Sequence, residues 1–527
     1  MPTIDDARAS LAEHFGYQDF RPGQERVIRA ILAGRDVMAV MPTGAGKSVC
    51  YQVPATLLGG LTLVVSPLIS LMADQVRALK EAGIRGSFYN STLKPHVRPE
   101  VLRRALAGWY DLMYVAPERL SDPEFRAFAA QAQVSLVAVD EAHCVSQWGQ
   151  DFRPAYCHIA EFVDSLPRRP RLAALTATAT GRVQDDVRNL LGLRDPVVEV
   201  SGFDRPNLAL ASFELTPKRR ELWVTNYVKA HPHDTGIVYA TTRKKVEQIA
   251  EELRDAGARV AAYHAGMSDV ERTLSQEAFV NDDVQVMVAT NAFGMGIDKS
   301  NVRYVINCGL PQSLEEYYQE AGRAGRDGEP AECYLLWSRG DIRTCHFFID
   351  NIAFAEGVLP REQRLLRERR EHLLGEMIGY AMSTVCLRAR VLRYFGQRME
   401  VPEGGCGGCS VCTGQTPDRY LRVERRGAMG EGRVFGVGDV RRVEAPEPEA
   451  WVHDAPDEEL FQRLRVLRKS LADEAHVPPY VVFSDRTLRA MVRNRPRTEE
   501  ELLEVPGVGQ KKLERYGAAF LEELWRL

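Results

Sequence analysis

The chain has 527 residues, 45% apolar and 27% charged, the balance of a soluble globular protein of several domains. No run approaches the ~18 uncharged apolar residues of a membrane helix, and the opening MPTIDDARASLAEHF carries acids where a secretory leader is basic and apolar; a cytosolic protein is expected. Sixty-eight basic residues stand against 72 acidic ones, a net charge of −4, so any nucleic-acid binding must use local patches and not a whole-molecule basic field.

In chain order, short apolar runs (DVMAVM, LTLVVS, DLMYVA, VSLVAVD, RLAALT) alternate with helical patterns such as Leu68 to Ala82 between Asp36 and Leu175. This alternation predicts a parallel sheet covered on both faces. The same grammar restarts near Thr235 with GIVYA, RVAAYH, VQVMVAT, VRYVINC and AECYLLW, which predicts a second α/β lobe. The lobes divide near Phe203–Asn207, where Pro206 disfavours a continuous helix. Arg339 to Arg398 reads as helical and Arg-rich, and leads into a Gly/Cys segment. Residues 413–456, rich in Gly, Arg, Pro and Glu, read as a linker with room for one short hairpin around Arg433–Val443. Asp457 to Leu527 reads as a helical module, with thirteen basic and thirteen acidic residues. The predicted domains are 1–205, 206–338, 339–412, the linker 413–456 and an all-α module over 457–527.

Met41-Pro42-Thr43-Gly44-Ala45-Gly46-Lys47-Ser48 follows a strand and opens a helix, as a phosphate-binding loop must. Its glycines let backbone N–H groups close around phosphate, Lys47 supplies a positive charge, and Ser48 can ligate Mg²⁺. A strict loop of this type has Gly where Met41 stands, and a Gly-rich strand–helix turn is the alternative reading. Val137-Ala138-Val139-Asp140-Glu141-Ala142-His143 then places two acids at a strand end, where Asp140 can hold Mg²⁺ through water and Glu141 can orient or deprotonate an attacking water. In the second lobe, Gln319-Glu320-Ala321-Gly322-Arg323-Ala324-Gly325-Arg326 sets Arg323 and Arg326 on one face if helical, able to reach a γ-phosphate as arginine fingers.

Cysteine is distributed unevenly. Six cysteines (Cys50, Cys144, Cys157, Cys308, Cys333, Cys345) sit among apolar neighbours, as free buried thiols do. Cys386, Cys406, Cys409 and Cys412 instead form two successive C-x-x-C steps preceded by a lone cysteine, a set that can surround Zn²⁺ tetrahedrally as a closed, structural site.

The phosphate loop, the DEAH sequence, Ser66-Pro67-Leu68-Ile69-Ser70-Leu71, Thr176-Ala177-Thr178-Ala179, Tyr263-His264-Ala265-Gly266-Met267, the run Ala289 to Lys299 and the arginine motif occur in the order found in superfamily-two helicases. More narrowly, Phe15-Gly16-Tyr17 with Phe20-Arg21-Pro22-Gly23-Gln24, and Ser146-Gln147-Trp148-Gly149 with Asp151-Phe152-Arg153-Pro154, resemble the RecQ DNA helicases. The resemblance spans nearly the whole chain except 413–456. It implies two RecA-like lobes, a zinc domain and a C-terminal helicase-and-RNase-D (HRDC) module, the last on Val477 to Asp485 and Val505 to Gly509.

What the resemblance implies is specific. Tyr17 and Arg21 would pack on the adenine of ATP and Gln24 would pair with its edge, although Tyr17 also reads as a core aromatic. Thr43, Gly44, Ala45, Gly46, Lys47, Ser48 and Asp298 would bind nucleotide, with Mg²⁺ on Ser48 and Asp140. His143 and Gln319 would join Lys47, Asp140, Glu141, Arg323 and Arg326 in catalysis. Ser146, Gln147, Trp148, Phe152 and Arg153 would sense single-stranded DNA and trigger hydrolysis. Gln150 stands where many relatives have His, so this position hydrogen-bonds without titrating. Gly507-Val508-Gly509 with Lys511 and Lys512 could meet DNA phosphate, or be a plain helix–helix turn.

The implied activity is ATP- and Mg²⁺-dependent 3′→5′ unwinding of tailed or branched DNA in repair, recombination, replication and the SOS response. The implied setting is a nucleoid-associated monomer in the cytoplasm, with single-strand-binding protein as a partner. An RNA helicase or an ATP-gated DNA scaffold are the rival readings. Relatives place a winged helix after the zinc site; here about 44 residues (413–456) remain, below what such a polar segment needs for a core of its own.

Overall fold

In the computed structural model, described for residues 2–67, 69–149, 152–294, 299–352, 359–421, 455–475 and 477–526, the apolar runs become strands. The first lobe has seven: β1 (Val37–Val40), β2 (Leu61–Val65), β3 (Gly86–Tyr89), β4 (Leu112–Val115), β5 (Val134–Val139), β6 (Arg171–Thr176) and β7 (Val197–Val200). They pair in parallel in the order β3-β4-β2-β5-β6-β1-β7. The central strands are buried along their whole length because helices cover both faces, which is why they read as unbroken Val, Leu and Ala rather than alternating. The edge strands β3 and β7 were not among the runs anticipated: they are half-solvated, so Gly86, Ser87 and Glu199 dilute their apolar signal.

The second lobe contains β8 (Leu208–Glu214), β9 (Thr235–Ala240), β10 (Val260–Tyr263), β11 (Val286–Ala289), β12 (Val302–Cys308) and β13 (Ala331–Trp337), all parallel, in the order β10-β11-β9-β12-β13-β8. Placing β1 inside its sheet aims the loop after it at the second lobe, whose Arg326 lies against Gly44, at the usual ligand position in open α/β sheets.

The helical part follows as Arg339–Asp350, Pro360–Ala381 and Leu387–Tyr394. It is not a separate body: Leu374, Tyr380, Leu387 and Phe395 join one apolar cluster with Phe203 and Tyr317, and Phe395 stacks on Phe203 at 4.5 Å. The C-terminal module, helices Ala455–Ala475, Pro479–Val482, Asp485–Asn494, Glu499–Leu503 and Gln510–Trp525, has its own core around Leu464, Phe483, Met491 and Phe520. The hairpin considered at Arg433–Val443 lies outside the described residues. No described helix is long and apolar enough to cross a membrane. Five of the six isolated cysteines are buried; Cys157 is exposed, because its turn Pro154–His158 runs over the surface.

Candidate active site and nucleic-acid interface

The phosphate loop begins where Met41 N donates to Thr176 O of β6 at 2.9 Å, and ends in the helix Val49–Leu57. Gly44 and Gly46 have φ of 83° and 77°, and a Cβ on Gly46 would lie 2.6 Å from Gln24 Nε2, so both positions require glycine. Lys47 folds its ammonium over the loop, 3.4 Å from Met41 O. Buried Gln24 donates to Ala45 O and Gly46 O, each at 3.0 Å, and accepts from Arg21 N at 2.9 Å, while Arg21 donates to Gly44 O. Tyr17, Arg21, Gln24, Gly46 and Ser48 line one cavity of about 300 Å³.

The two acids stand at the end of β5, one strand from β2 and one from β6. Asp140 N donates to Val65 O at 2.9 Å, and Tyr156 donates to Asp140 O at 2.9 Å. Glu141 has φ 48°, a left-handed conformation that costs a non-glycine residue about 1 kcal/mol or more and that survives at sites where the surroundings over-determine it. His143 Nδ1 lies 2.9 Å from Thr176 Oγ1 and 3.4 Å from Glu141 Oε2; Thr178 Oγ1 accepts from Gln319 Nε2 at 3.0 Å. A polar path therefore runs from Glu141 through His143 and the Thr176–Thr178 turn to the second lobe.

The arginine motif departs from the sequence expectation. The helix Leu314–Ala321 stops at Gly322, and residues 322–327 form turns, so Arg323 and Arg326 do not share a helical face. Arg323 is buried in the second lobe and donates to Gly294 O. Arg326 instead packs its backbone on the phosphate loop: a Cβ on Gly44 would lie 3.3 Å from Arg326 Cα, and one on Gly322 would lie 3.2 Å from Thr43 Oγ1. Arg205, which sequence reasoning passed over as part of a lobe boundary, fastens this junction. It donates to Thr43 O (2.6 Å) in the first lobe and to Gly322 O (3.3 Å), Ala324 O (3.0 Å) and Gly325 O (2.9 Å) in the second. Burial lowers the pKa of its guanidinium. Only its place beside Pro206 marked it in the sequence. Asp298 lies outside the described residues.

The Sγ atoms of Cys386, Cys406, Cys409 and Cys412 lie within 4.8 Å of one another, and those of Cys386 and Cys409 are 4.0 Å apart. Tetrahedral Zn–S bonds of ~2.3 Å require S···S separations of ~3.8 Å, so the four thiols fit zinc. Burial raises the Cys409 thiol, but the backbone N–H groups of Cys412 and Leu387 and the neighbouring thiols bring it down to about 7. Cys386 caps the helix Leu387–Tyr394, whose Arg388 donates to Asp204 Oδ1 (2.7 Å), Arg205 O (2.7 Å) and Leu208 O (2.6 Å). The cysteine site thus orders the segment that carries Arg205.

In the aromatic loop, Trp148 and Phe152 are more than a third exposed and Gln147 is exposed. Ser146 is a correction to the proposed DNA contacts: it is fully buried, donates to Asp186 Oδ2 at 2.6 Å and accepts from Trp148 N, so it shapes the loop from within. Arg153 donates to Pro67 O at 3.0 Å, tying the loop to the segment after β2. Gln150 lies outside the described residues.

Of the two readings open for the C-terminal glycine turn, the structure favours the packed helix–helix turn, with Gly507–Gly509 buried and Lys511 exposed. Gly507 N donates to Gly16 O at 3.2 Å, and Gly16 leaves so little room that a Cβ there would meet Gly509 N at 2.5 Å. The turn faces the first lobe, not solvent. Lys511 packs its stem on Gly83, and Lys512 sits 5.7 Å from the Phe483 ring, where loss of hydration lowers its ammonium to about 8. Arg515 pairs with Glu81 of the first lobe, and Lys469 with Asp283 of the second at 2.9 Å. Docked this way, the module brings Pro478, Tyr480 and Val481 to the mouth of the cavity that holds Tyr17 and Gln24.

A glycine loop under one lobe, strand-end acids beside it and an arginine motif closing on it from the other define an ATP-dependent helicase. Residues 21–187 match the DEAD/DEAH box helicase model, 219–328 the helicase conserved C-terminal domain, 339–413 the RecQ zinc-binding domain and 457–524 the HRDC domain. ATP-dependent DNA helicase RecQ of Bacillus subtilis (strain 168) is 38% identical, with 98% of each chain covered; that of Haemophilus influenzae is 36% identical over 98% of this chain and 95% of its own. The solved DUF1998 helicase MrfA bound to DNA shares the fold, with a TM-score of 0.53 at 18% identity over 76% of this chain and 60% of its own. The chain belongs to the RecQ family of ATP-dependent DNA helicases.

Proposed function

We propose that this chain converts ATP hydrolysis into 3′→5′ movement along single-stranded DNA and opens duplexes that carry a 3′ tail. The observation that supports this reading is the apposition of Gly322 and Arg326 to Thr43 and Gly44: a triphosphate there touches both lobes, so its hydrolysis loosens one from the other. Lys47 and the loop amides of 43–46 hold the phosphates. Ser48 and Asp140 offer hydroxyl and carboxylate oxygens, a hard donor set that suits Mg²⁺, which when bound neutralises the β/γ-phosphate charge. Glu141 Oε2, buried with no hydrogen bond among the described residues, is the acceptor for the attacking water. His143 and Gln319 carry the state of that carboxylate to the second lobe. Arg326 acts on transition-state charge, and Arg323 joins it after leaving Gly294 O. Tyr17 and Arg21 hold the base, and Gln24 exchanges the carbonyls of Ala45 and Gly46 for the adenine edge.

We divide the chain at 205/206, 338/339, 412/413 and 456/457, with a monomer acting on tailed or branched DNA beside single-strand-binding protein. The processes served are repair, recombination and replication, in the cytoplasm at the nucleoid. The alignment with the Bacillus subtilis relative runs over 590 positions, more than the 527 residues here, so that relative has residues without counterpart in this chain. This supports a motor without a complete winged-helix wedge, dependent on a single-stranded tail. Strand displacement on 3′-tailed, 5′-tailed and blunt duplexes tests it, with ATPase measured in parallel on single-stranded DNA, duplex DNA and RNA. Unwinding that prefers the 5′ tail overturns the polarity, equal stimulation by RNA overturns the substrate, and efficient opening of long blunt duplexes overturns the missing wedge.

A further inference from the structure

Two guanidinium groups from different domains lie against the Trp148 ring. Arg182, on the first-lobe helix Gly181–Leu190, lies 3.1 Å from the indole centroid; Arg369, on the helix Pro360–Ala381 of the zinc-binding domain, lies 5.1 Å from it. Arg369 also donates to Gly149 O at 2.9 Å. Gly149 belongs to a turn wound tightly on the DEAH histidine, since a Cβ there would lie 2.2 Å from His143 O. Arg369 also feels the charge of Glu315, which is buried on the helix Leu314–Ala321 that carries Gln319 and ends just before the arginine motif. Burial lowers the pKa of the Arg369 guanidinium, and repulsion from Arg182 adds to the effect. One side chain of the zinc-binding domain therefore holds the aromatic loop of the first lobe while feeling the charge of Glu315 on the helix of the second lobe that carries Gln319.

Resting on the reading of Trp148 as the sensor of single-stranded DNA, we propose that Arg369 is a positioning residue for DNA-triggered hydrolysis. It holds the Trp148–Gly149 turn in its DNA-free arrangement until a phosphate of the entering strand takes its guanidinium. A base that stacks where Arg182 lies on Trp148 displaces that guanidinium from the ring, and its phosphate then arrives beside two arginines. An anionic phosphate binds arginine more strongly than the neutral carbonyl of Gly149 does. Loss of that carbonyl contact frees the turn on His143, which stands 3.4 Å from Glu141. Arg182 leaves the ring in the same step and pairs with the same strand.

The test is steady-state ATPase of the full-length Arg369→Ala variant with and without a homopolymeric thymidine oligonucleotide, alongside Arg369→Gln and Trp148→Ala. A latch of one hydrogen bond and one ring contact shifts a two-state population by about 5- to 30-fold. The DNA-free rate of Arg369→Ala rises by that factor while the rate at saturating DNA stays within about twofold of the parent, so stimulation shrinks from the basal side. Damage to the fold lowers both rates, and zinc content with melting temperature reports it directly; if Arg369→Ala loses zinc, Arg369→Gln, which keeps the stem, gives the same reading. A DNA-free rate unchanged within about twofold in a zinc-replete variant overturns the inference. If Trp148→Ala keeps full stimulation, the sensor reading itself falls; if Trp148→Ala loses it while Arg369→Ala and Arg369→Gln match the parent, only the positioning role falls.

Discussion

Arg205→Ala removes a single side chain that holds both sides of the catalytic cleft. Of its five side-chain hydrogen bonds, one goes to Asn207 Oδ1 at 3.4 Å and three end on Gly322, Ala324 and Gly325 and set the shape of the arginine turn, while the one to Thr43 O, at 2.6 Å, crosses to the phosphate loop. A hydrogen bond from a charged donor contributes about 1.5–3 kcal/mol net. At about 1.4 kcal/mol per factor of ten, loss of the crossing bond alone makes the closed, hydrolysis-competent arrangement about 10- to 100-fold rarer. The lobe-two bonds add disorder at Arg326, so the upper end of that range is expected. ATPase at saturating single-stranded oligonucleotide should show kcat lowered by this factor with KM for ATP moved less than about threefold, because the base and the Lys47 phosphate contacts are untouched. Arg205→Lys keeps the charge but cannot fork to four carbonyls and should fall between the two. A kcat within about twofold of the parent, in a variant with parental melting temperature, would refute the idea that this residue closes the cleft.

Lys47→Ala should abolish hydrolysis and Glu141→Gln should keep ATP binding while stopping turnover; near-parental ATPase in either, set against nucleotide binding by fluorescence, removes the active-site assignment. Arg326→Ala should bind nucleotide normally and lose hydrolysis, since a group that acts on transition-state charge leaves ground-state affinity alone. Cys409→Ser should lose zinc and lower the melting temperature, because the binding energy of a structural site is folding energy. It should also lower kcat, since Arg388 no longer orders the backbone of Arg205; metal analysis that finds stoichiometric zinc at unchanged stability counts against the four-cysteine site. Arg515→Glu sets two acids together at the Glu81 contact and should release the C-terminal module, seen as a larger radius of gyration in solution scattering, and Glu81→Arg in the same chain should restore docking. Unchanged scattering in Arg515→Glu would mean that this contact does not hold the module.

The sequence by itself determined what depends on local chemistry. The apolar runs of β1, β2 and β5 announce buried parallel strands because helices cover both faces, and the motifs at Met41–Ser48 and Asp140–His143 announce phosphate chemistry because glycines and carboxylates must stand at strand ends to perform it. The cysteine quartet is legible for the same reason, as thiolate spacing alone satisfies tetrahedral zinc. Only the tertiary structure decided which ends of long side chains meet. A three-residue spacing leaves Arg323 and Arg326 equivalent, yet the helix stops at Gly322 and the turns that follow bury one and lay the other on Gly44. Ser146 and the Gly507–Gly509 turn carry the composition of exposed binding loops; a partner 40 residues away in Asp186, and one at the opposite end of the chain in Gly16, take them out of solvent. Arg205 and Arg369 have no local signature at all. Their roles arise because folding brings the cleft and the aromatic loop, segments 117 and 220 residues distant from them in sequence, within hydrogen-bond reach of one guanidinium each.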